Sequence, residues 1–335
     1  TWHAQQSQVN GEPGYIWLNN ARTRGRFKDG ERLDDINVAG FNPCVEQQLE
    51  DAELCCLVET FPARHENLED YLKTLKLAYL YGKTITLSNT HWPETNAKML
   101  KNRRIGLSQS GVVQAFTKHG RRQMYDWCDK AYEYVAQLDE EYSNWLCIPK
   151  SIRTTSIKPS GTVSLLNGST PGIHFPESEY YIRRIRFSHT SQVLERLEEA
   201  GYHIEKDEYS PNTMVVEFPV REPYFTKSKK DVTMWEQLEI AAQYQHYWAD
   251  NSVSVTITFN EAEAPHLKAA LEMYETRLKA VSFIKYSETG YKQAPYEAIT
   301  KKKYEKMIQQ ITPIHRMDTD GGSGTKFCTN DSCEV

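Results

Sequence analysis

Asn42-Pro43-Cys44-Val45-Glu46, followed by Leu49-Glu50-Asp51-Ala52-Glu53-Leu54-Cys55-Cys56, is the stretch on which the fold and chemistry of this chain turn. Pro43 disfavours the helical region for Asn42, so the run is expected to start extended. In an extended chain residues two apart share a face, which puts the Asn42 amide, the Cys44 thiol and the Glu46 carboxylate in one row. Two readings fit these residue types. One is a site where a thiol, an acid and an amide converge; the other is an Asn-Pro turn with a buried cysteine and a glutamate facing water. Cys56 is expected in the core, because adjacent residues of an extended chain point to opposite faces.

Outward from this stretch, helical and strand patterns alternate. Leu68, Leu72, Leu75 and Tyr79 predict a helix that Gly82 stops, with a strand at Thr84-Ile85-Thr86-Leu87. A helix from about Met124 to Trp145 carries Cys128, Ala131, Val135, Leu138 and Tyr142 on one stripe, and Pro149 marks its end. Helices at 193–200, 235–248 and 266–278, and strands at 214–218, 253–259 and 281–284, continue the alternation. Strands separated by helices imply an α/β fold with a mixed or parallel sheet, open or closed into a barrel. Cys128 and Cys147 are expected to be packing residues.

Composition narrows the function classes. Hydrophobic residues make up 39% and charged residues 25% of 335, which excludes disorder and fibrous repeats. Forty basic against forty-five acidic side chains give a formal charge of -5, so the overall field favours neither nucleic acid nor a membrane surface, and a phosphorylated ligand must be held locally. No apolar run approaches the roughly 20 residues of a membrane span, and no signal-peptide pattern opens the chain, so a cytoplasmic location is expected. Seven cysteines then argue for thiol chemistry, metal binding or burial rather than a disulfide scaffold. The start at Thr1 reads as the middle of a longer protein.

Two further segments carry chemistry. Thr154-Thr155-Ser156-Ile157-Lys158-Pro159-Ser160-Gly161-Thr162-Val163-Ser164 gathers hydroxyls, a glycine and a lysine in the manner of an anion cradle, without the Walker spacing. A polar surface turn is the competing reading. Downstream, Arg183, Arg184 and Arg186 either add charge there or face solvent, and His174 either packs near the site or is an ordinary loop residue. At the far end, periodicity is lost from about Met317, and Gly321-Gly322-Ser323-Gly324 precedes Cys328 and Cys333. About 14 residues of such chain span roughly 20 Å, enough for a mobile dithiol; a disordered end with two incidental cysteines is the alternative. Zinc fits poorly, because the gap is wide and no second Cys/His pair stands out.

Asn42-Pro43-Cys44-x-Glu46 resembles the finger-loop motif of ribonucleotide reductases. The longer stretch to Pro62, the 154–164 loop with Gly168-Ser169-Thr170-Pro171-Gly172-Ile173-His174-Phe175-Pro176, and the tail spacing are similar to the monomeric, adenosylcobalamin-dependent ribonucleoside-triphosphate reductases. Asn102-Arg103-Arg104-Ile105-Gly106 and Gln293-Ala294-Pro295-Tyr296-Glu297 also resemble this superfamily. The resemblance implies the second half of a ten-stranded α/β barrel with a central finger loop over 1–316, then a flexible redox-active tail over 317–335. It implies a thiyl radical on Cys44 that takes the ribose 3'-hydrogen, Glu46 accepting the 3'-hydroxyl proton, and Asn42 hydrogen-bonded to substrate. Cys55 would be one member of the reducing dithiol, whose family partner precedes the finger loop; no cysteine precedes Cys44 here.

Ser160, Gly161 and Thr162 would contact substrate phosphate, and Cys328 and Cys333 would pass reducing equivalents from a thioredoxin-like protein. The implied cofactor is adenosylcobalamin, the substrate a ribonucleoside triphosphate, and the further partner an N-terminal reductase half; no resident metal ligands, nucleic acid or membrane are implied. Two outcomes stay open: a working reductase portion, or a silent nucleotide-binding fragment or split piece that needs its other half. The radical role requires the Cys44 sulfur to be shielded from water, with Glu46 and Asn42 on its side.

Overall fold

The structure is a computed structural model that describes residues 2–286 and 292–314. In chain order its elements are α1 (Trp2–Asn10), β1 (Tyr15–Ile16), α2 (Leu18–Thr23), β2 (Gly40–Phe41), β3 (Gln48–Leu49), β4 (Leu57–Thr60), α3 (Leu68–Ile85), α4 (Pro93–Asn102), β5 (Gly106–Gln109), α5 (Val112–His119), α6 (Arg121–Leu146), β6 (Tyr180–Ser188), α7 (Val193–Glu199), β7 (His203–Lys206), β8 (Thr213–Arg221), α8 (Met234–Tyr247), β9 (Thr256–Phe259), α9 (Leu267–Tyr274), β10 (Ala280–Lys285), β11 (Tyr296–Ala298) and α10 (Lys301–Gln310). They form an α/β fold with parallel and antiparallel pairings. The described residues divide into two compact units: 2–176 with Pro223–Tyr286, and Glu177–Glu222 with 292–314.

In the first unit β4 and β5 run parallel, with Glu59 opposite Ser108. Parallel bridges Leu107↔Thr155 and Ile157↔Val253 carry the pairing onward. Then β9 and β10 pair in parallel, and β1 lies antiparallel on β10. Parallel neighbours need long crossovers, which α3 with α4, α5 with α6, and α9 provide. Tyr71, Leu75 and Tyr79 of α3, Val135 and Tyr142 of α6, Trp248, Ile257 and Phe283 share one buried core. The expected helices over 124–145 and 235–248 and the strand over 281–284 are present as α6, α8 and β10.

Three local expectations are corrected. Helix α3 begins where Asn67 accepts from the Asp70 N–H at 3.0 Å, but it runs through Gly82 to Ile85, so there is no strand at 84–87. A Cβ at Gly82 would meet Val58 Cγ2 at 3.0 Å, so the glycine is what lets the helix lie close on β4; that close packing offsets the roughly 1 kcal/mol an interior glycine costs. Cys147 is exposed, because it sits past the last turn of α6 in the left-handed region, φ 53°, off the apolar stripe. The strand expected from Val253 starts only at Thr256, since Val253 forms an isolated bridge. Cys56 and Cys128 are buried as expected.

The second unit is an antiparallel sheet in the order β11-β6-β8-β7. Arg183, Arg184 and Arg186 lie on β6 and spend their charge inside this unit. Arg183 covers the Tyr296 ring at 4.5 Å, Arg184 pairs with Glu217 at 2.6 Å, and Arg186 pairs with Asp207 at 2.5 Å. Cys328, Cys333 and the expected tail lie outside the described residues. No helix among the described residues is long and apolar enough to cross a membrane.

Candidate active site

The finger loop is the tip of a hairpin. Strands β2 and β3 pair antiparallel, Phe41 opposite Gln48, and residues 42–47 make the turn. The Val45 N–H donates to the Asn42 carbonyl at 2.9 Å, the Asn42 N–H donates to the Gln47 carbonyl at 3.1 Å, and the Gln47 N–H donates to Asn42 Oδ1 at 2.9 Å. Val45 is left-handed, φ 65°, a costly conformation for a β-branched residue that this lattice of bonds enforces. The run is therefore a tight turn and not the extended row expected. Asn42 lost that geometry because its side chain closes the turn.

Burial separates the three groups. Glu46 is fully buried and Asn42 is 8% exposed, whereas Cys44 is exposed. The shielding expected for the Cys44 sulfur is thus not supplied by the described residues. Convergence comes instead from a residue of the other loop: Lys158 Nζ lies 2.8 Å from Glu46 Oε1 and within electrostatic reach of Cys44. Burial works to lower the Lys158 pKa, but the Glu46 hydrogen bond and charge, with Cys44, more than offset it and the net shift is upward. Glu46 Oε2 is buried with no protein partner. Cys55, just before β4, is exposed like Cys44 yet senses the same group: partial desolvation first, then the Glu46 charge, raises its pKa against the pull of Lys158.

The second loop is anchored from below. Asp250 accepts the N–H groups of Thr154 at 2.9 Å and Thr155 at 2.8 Å, and the Lys158 N–H donates to Ser108 Oγ at 2.9 Å. Ser160 is buried and donates its hydroxyl to Glu59 Oε2 at 2.5 Å, so in this state the hydroxyl is committed to a carboxyl. Gly161 is half-buried and Thr162 exposed, at the entry of a short 3-10 turn, Val163–Asn167; the Ser164 N–H donates to the Ser160 carbonyl at 3.3 Å and the Leu165 N–H to the Thr162 carbonyl at 3.1 Å, which leaves the Val163 N–H without a partner among the described residues. The buried hydroxyls of Ser164, Ser169 and Thr170 have no protein partner either. His174 is fixed as a neutral ring: its Nε2 accepts from the Thr256 N–H at 3.1 Å, its Nδ1 faces the Pro171 carbonyl at 3.1 Å, and burial lowers its pKa. It orders the entry to β9.

Two residues escaped the sequence. Lys158 was visible only as part of the loop, not as the partner of Glu46. Glu59 stands at the end of β4, where Ser108 donates to it at 3.1 Å and Ser160 at 2.5 Å. Burial, offset in part by Ser160, Ser110, Ser108 and Lys158, pushes its carboxyl up to about 7. A carboxylate inside the apolar run Leu57-Val58-Glu59 is the signal that marks it. Among the described residues no group of three or more His, Cys, Asp or Glu is placed to hold a metal ion.

No protein-family model matches the chain. It is similar, at 49% identity over 97% of this chain and 44% of the relative, to a Dictyostelium discoideum protein described as "Probable adenosylcobalamin-dependent ribonucleoside-triphosphate reductase". It is 47% identical, over 98% of itself and 46% of the relative, to the adenosylcobalamin-dependent ribonucleoside-triphosphate reductase of Euglena gracilis. A crystal structure of a B12-dependent, class II ribonucleotide reductase superimposes with a TM-score of 0.83 at 34% identity, covering 94% of this chain and 48% of that one. The Actinobacillus ureae class Id ribonucleotide reductase alpha subunit shares the fold alone, with a TM-score of 0.60 at 16% identity, over 85% of this chain and 60% of that one. The chain thus spans somewhat less than half the length of the curated relatives it matches. By sequence over nearly all of its own length and by fold, the chain is similar to a part of the adenosylcobalamin-dependent ribonucleoside-triphosphate reductases.

Proposed function

We propose that this chain carries the substrate-side chemistry of a ribonucleoside-triphosphate reductase. The observation that carries this reading is Glu46: a fully buried carboxylate with one orphaned oxygen, on the loop that bears Cys44 and within electrostatic reach of Cys55. A sulfur radical at Cys44 takes the ribose 3'-hydrogen and becomes a thiol. Glu46 Oε2 accepts the 3'-hydroxyl proton, as a positioned base does. Asn42, its Oδ1 held by Gln47, turns its NH2 group to a substrate hydroxyl. The 2'-hydroxyl leaves as water, Cys55 and a second thiol supply the two electrons, and the 3'-hydrogen returns from Cys44.

The residues fit adenosylcobalamin at one point, the exposed Cys44 thiol, which a bulky group can approach. Bound there, the cofactor would supply the one-electron oxidation that Cys44 needs. The open side of Cys44 is then covered, in this proposal, by the remainder of a longer reductase, an N-terminal half, and by substrate. The parallel positions β4, β5, 155–157, 253–259 and β10 belong, in the same proposal, to the second half of a ten-stranded barrel over 1–316. Gly161, Thr162 and the turn that follows hold the triphosphate, with Ser160 joining if Glu59 releases it. The 317–335 tail relays electrons from a thioredoxin-like protein through Cys328 and Cys333, in the cytoplasm. The exposed thiol also favours a second reading, a nucleotide-binding piece without turnover of its own.

Turnover assays with the complementing half of a relative separate these readings. Cys44→Ser is expected to abolish 2'-reduction with every reductant. Cys328→Ser loses turnover with thioredoxin and keeps it with a small dithiol; equal loss with both would remove the relay, and turnover by Cys44→Ser would remove the radical role.

A further inference from the structure

Lys158 belongs to two loops at once. Its ammonium pairs with Glu46 of the finger loop at 2.8 Å, while its backbone opens the segment assigned above to phosphate. The two partners differ in freedom. Glu46 is fully buried, and its backbone carbonyl receives the Ser252 N–H at 3.1 Å, so its main chain is held and its side chain is enclosed. Lys158 remains 28% exposed, with its charge on a flexible four-carbon stem. The ammonium is the member that can move.

The charges facing Lys158 are all acidic or thiol: Glu46 and Cys44 from the finger loop, Glu59 from β4, and Cys55 just before β4. A polyphosphate in the 160–163 region would add several anionic oxygens beside this cation, each a charge-assisted acceptor. Glu46 Oε1 would then lose its cation while Oε2 has no protein partner to begin with. A buried carboxylate left so is costly unless a donor replaces the ammonium, and a ligand hydroxyl is such a donor.

We propose that Lys158 is a ligand-responsive clamp. Without polyphosphate it holds Glu46 as an ion pair, and an incoming polyphosphate draws the ammonium to itself and frees Glu46 to receive a ligand hydroxyl. The base is thereby exposed only when the phosphate end of a ligand is seated. This rests on the phosphate-loop reading and adds to it a coupling between phosphate recognition and the base.

Calorimetric titration of inorganic tripolyphosphate into the full 335-residue chain tests the clamp, with unfolding temperatures confirming that each variant folds. Glu46 competes with phosphate for one cation, so Glu46→Gln should tighten binding about fivefold to tenfold, and Lys158→Gln should weaken it about tenfold, as for one hydrogen bond between charged groups. In the Lys158→Gln background, Glu46→Gln should change nothing. Glu46→Asp keeps the charge but withdraws it by one methylene, and it should also tighten binding; Lys158→Arg should retain the wild-type pattern. Equal tightening by Glu46→Gln with and without Lys158, or no tightening by Glu46→Asp, shows simple repulsion and overturns the clamp alone. Absence of binding to the wild type overturns both the phosphate-loop reading and the clamp.

Discussion

Glu59 shows how one side chain sets a pH window. Its carboxyl titrates at about 7 in the folded chain against an ordinary 4.5, with burial the largest cause. The folded pKa is raised, so the favourable contribution is fully present below pH 4.5 and is lost as pH rises through 7. Glu59→Gln removes this titration while still offering an acceptor to Ser108 or Ser160. The variant is expected to match wild type near pH 4 and to be more stable at pH 8, by on the order of 3 kcal/mol at most. Urea unfolding across that range checks it, and a stability gap independent of pH would contradict the assignment. Neither Glu59 nor Lys158 could be placed from sequence, because their partners lie far along the chain: 49 residues for Ser108, 101 for Ser160 and 112 for Glu46. That Cys44 and Glu46 lie on one loop follows from their two-residue spacing, but their opposite exposure depends on the tertiary bonds of the turn and did not show in the sequence.

At the scale of elements, the finger hairpin reaches the sheet through Gly106. A Cβ there would stand 2.2 Å from Gln47 Nε2, 2.7 Å from Leu57 Cδ2 and 2.7 Å from Ser156 Oγ. Gln47 donates to the Cys56 carbonyl at 2.9 Å, which ties the loop to the start of β4. Gly106→Ala must therefore displace Gln47. The expected cost is about 1–3 kcal/mol of stability, as for overpacking elsewhere. Any turnover of the complemented enzyme should fall as well, since Cys44 rides on the same loop. Unchanged denaturant midpoint and turnover would show that the loop tolerates the shift. Periodicity found α6, α8 and β10 because each buries one regular face. It misjudged 84–87, where the Val58 and Ile105 contacts at Gly82 keep α3 helical, and 42–46, where tertiary bonds force Val45 to positive φ.

At the scale of the molecule, the site of the first unit stands on buried charge. Arg104 is fully buried and forks onto two carboxylates, Asp35 at 2.7 and 2.8 Å and Glu53 at 3.0 and 3.1 Å. Beside it Lys279, also fully buried, donates to the carbonyls of Asp250 and Asn251 at 2.7 Å each; burial, then the Arg153 charge, holds its pKa well below the usual value. Asp250 in turn anchors the 154–164 loop through Thr154 and Thr155. Arg104→Met leaves Asp35 and Glu53 buried without their shared cation, and a loss of about 3–5 kcal/mol is expected in chemical unfolding; a loss below 1 kcal/mol would mean that water or other donors replace it. The Asn102 to Gly106 motif was legible as a likeness, but its physical content, a buried arginine followed by a glycine that admits the finger loop, needed the fold.

In the proposed reaction Cys44 hosts the radical. Freeze-quenched electron paramagnetic resonance tests it most directly, on the chain combined with the complementing half of a relative, adenosylcobalamin and a ribonucleoside triphosphate. A sulfur-centred radical coupled to cobalt(II) is expected, altered by cysteine deuterated at Cβ and absent in Cys44→Ser. The same signal persisting in Cys44→Ser, or no radical in wild type with cofactor and nucleotide both bound, would contradict it.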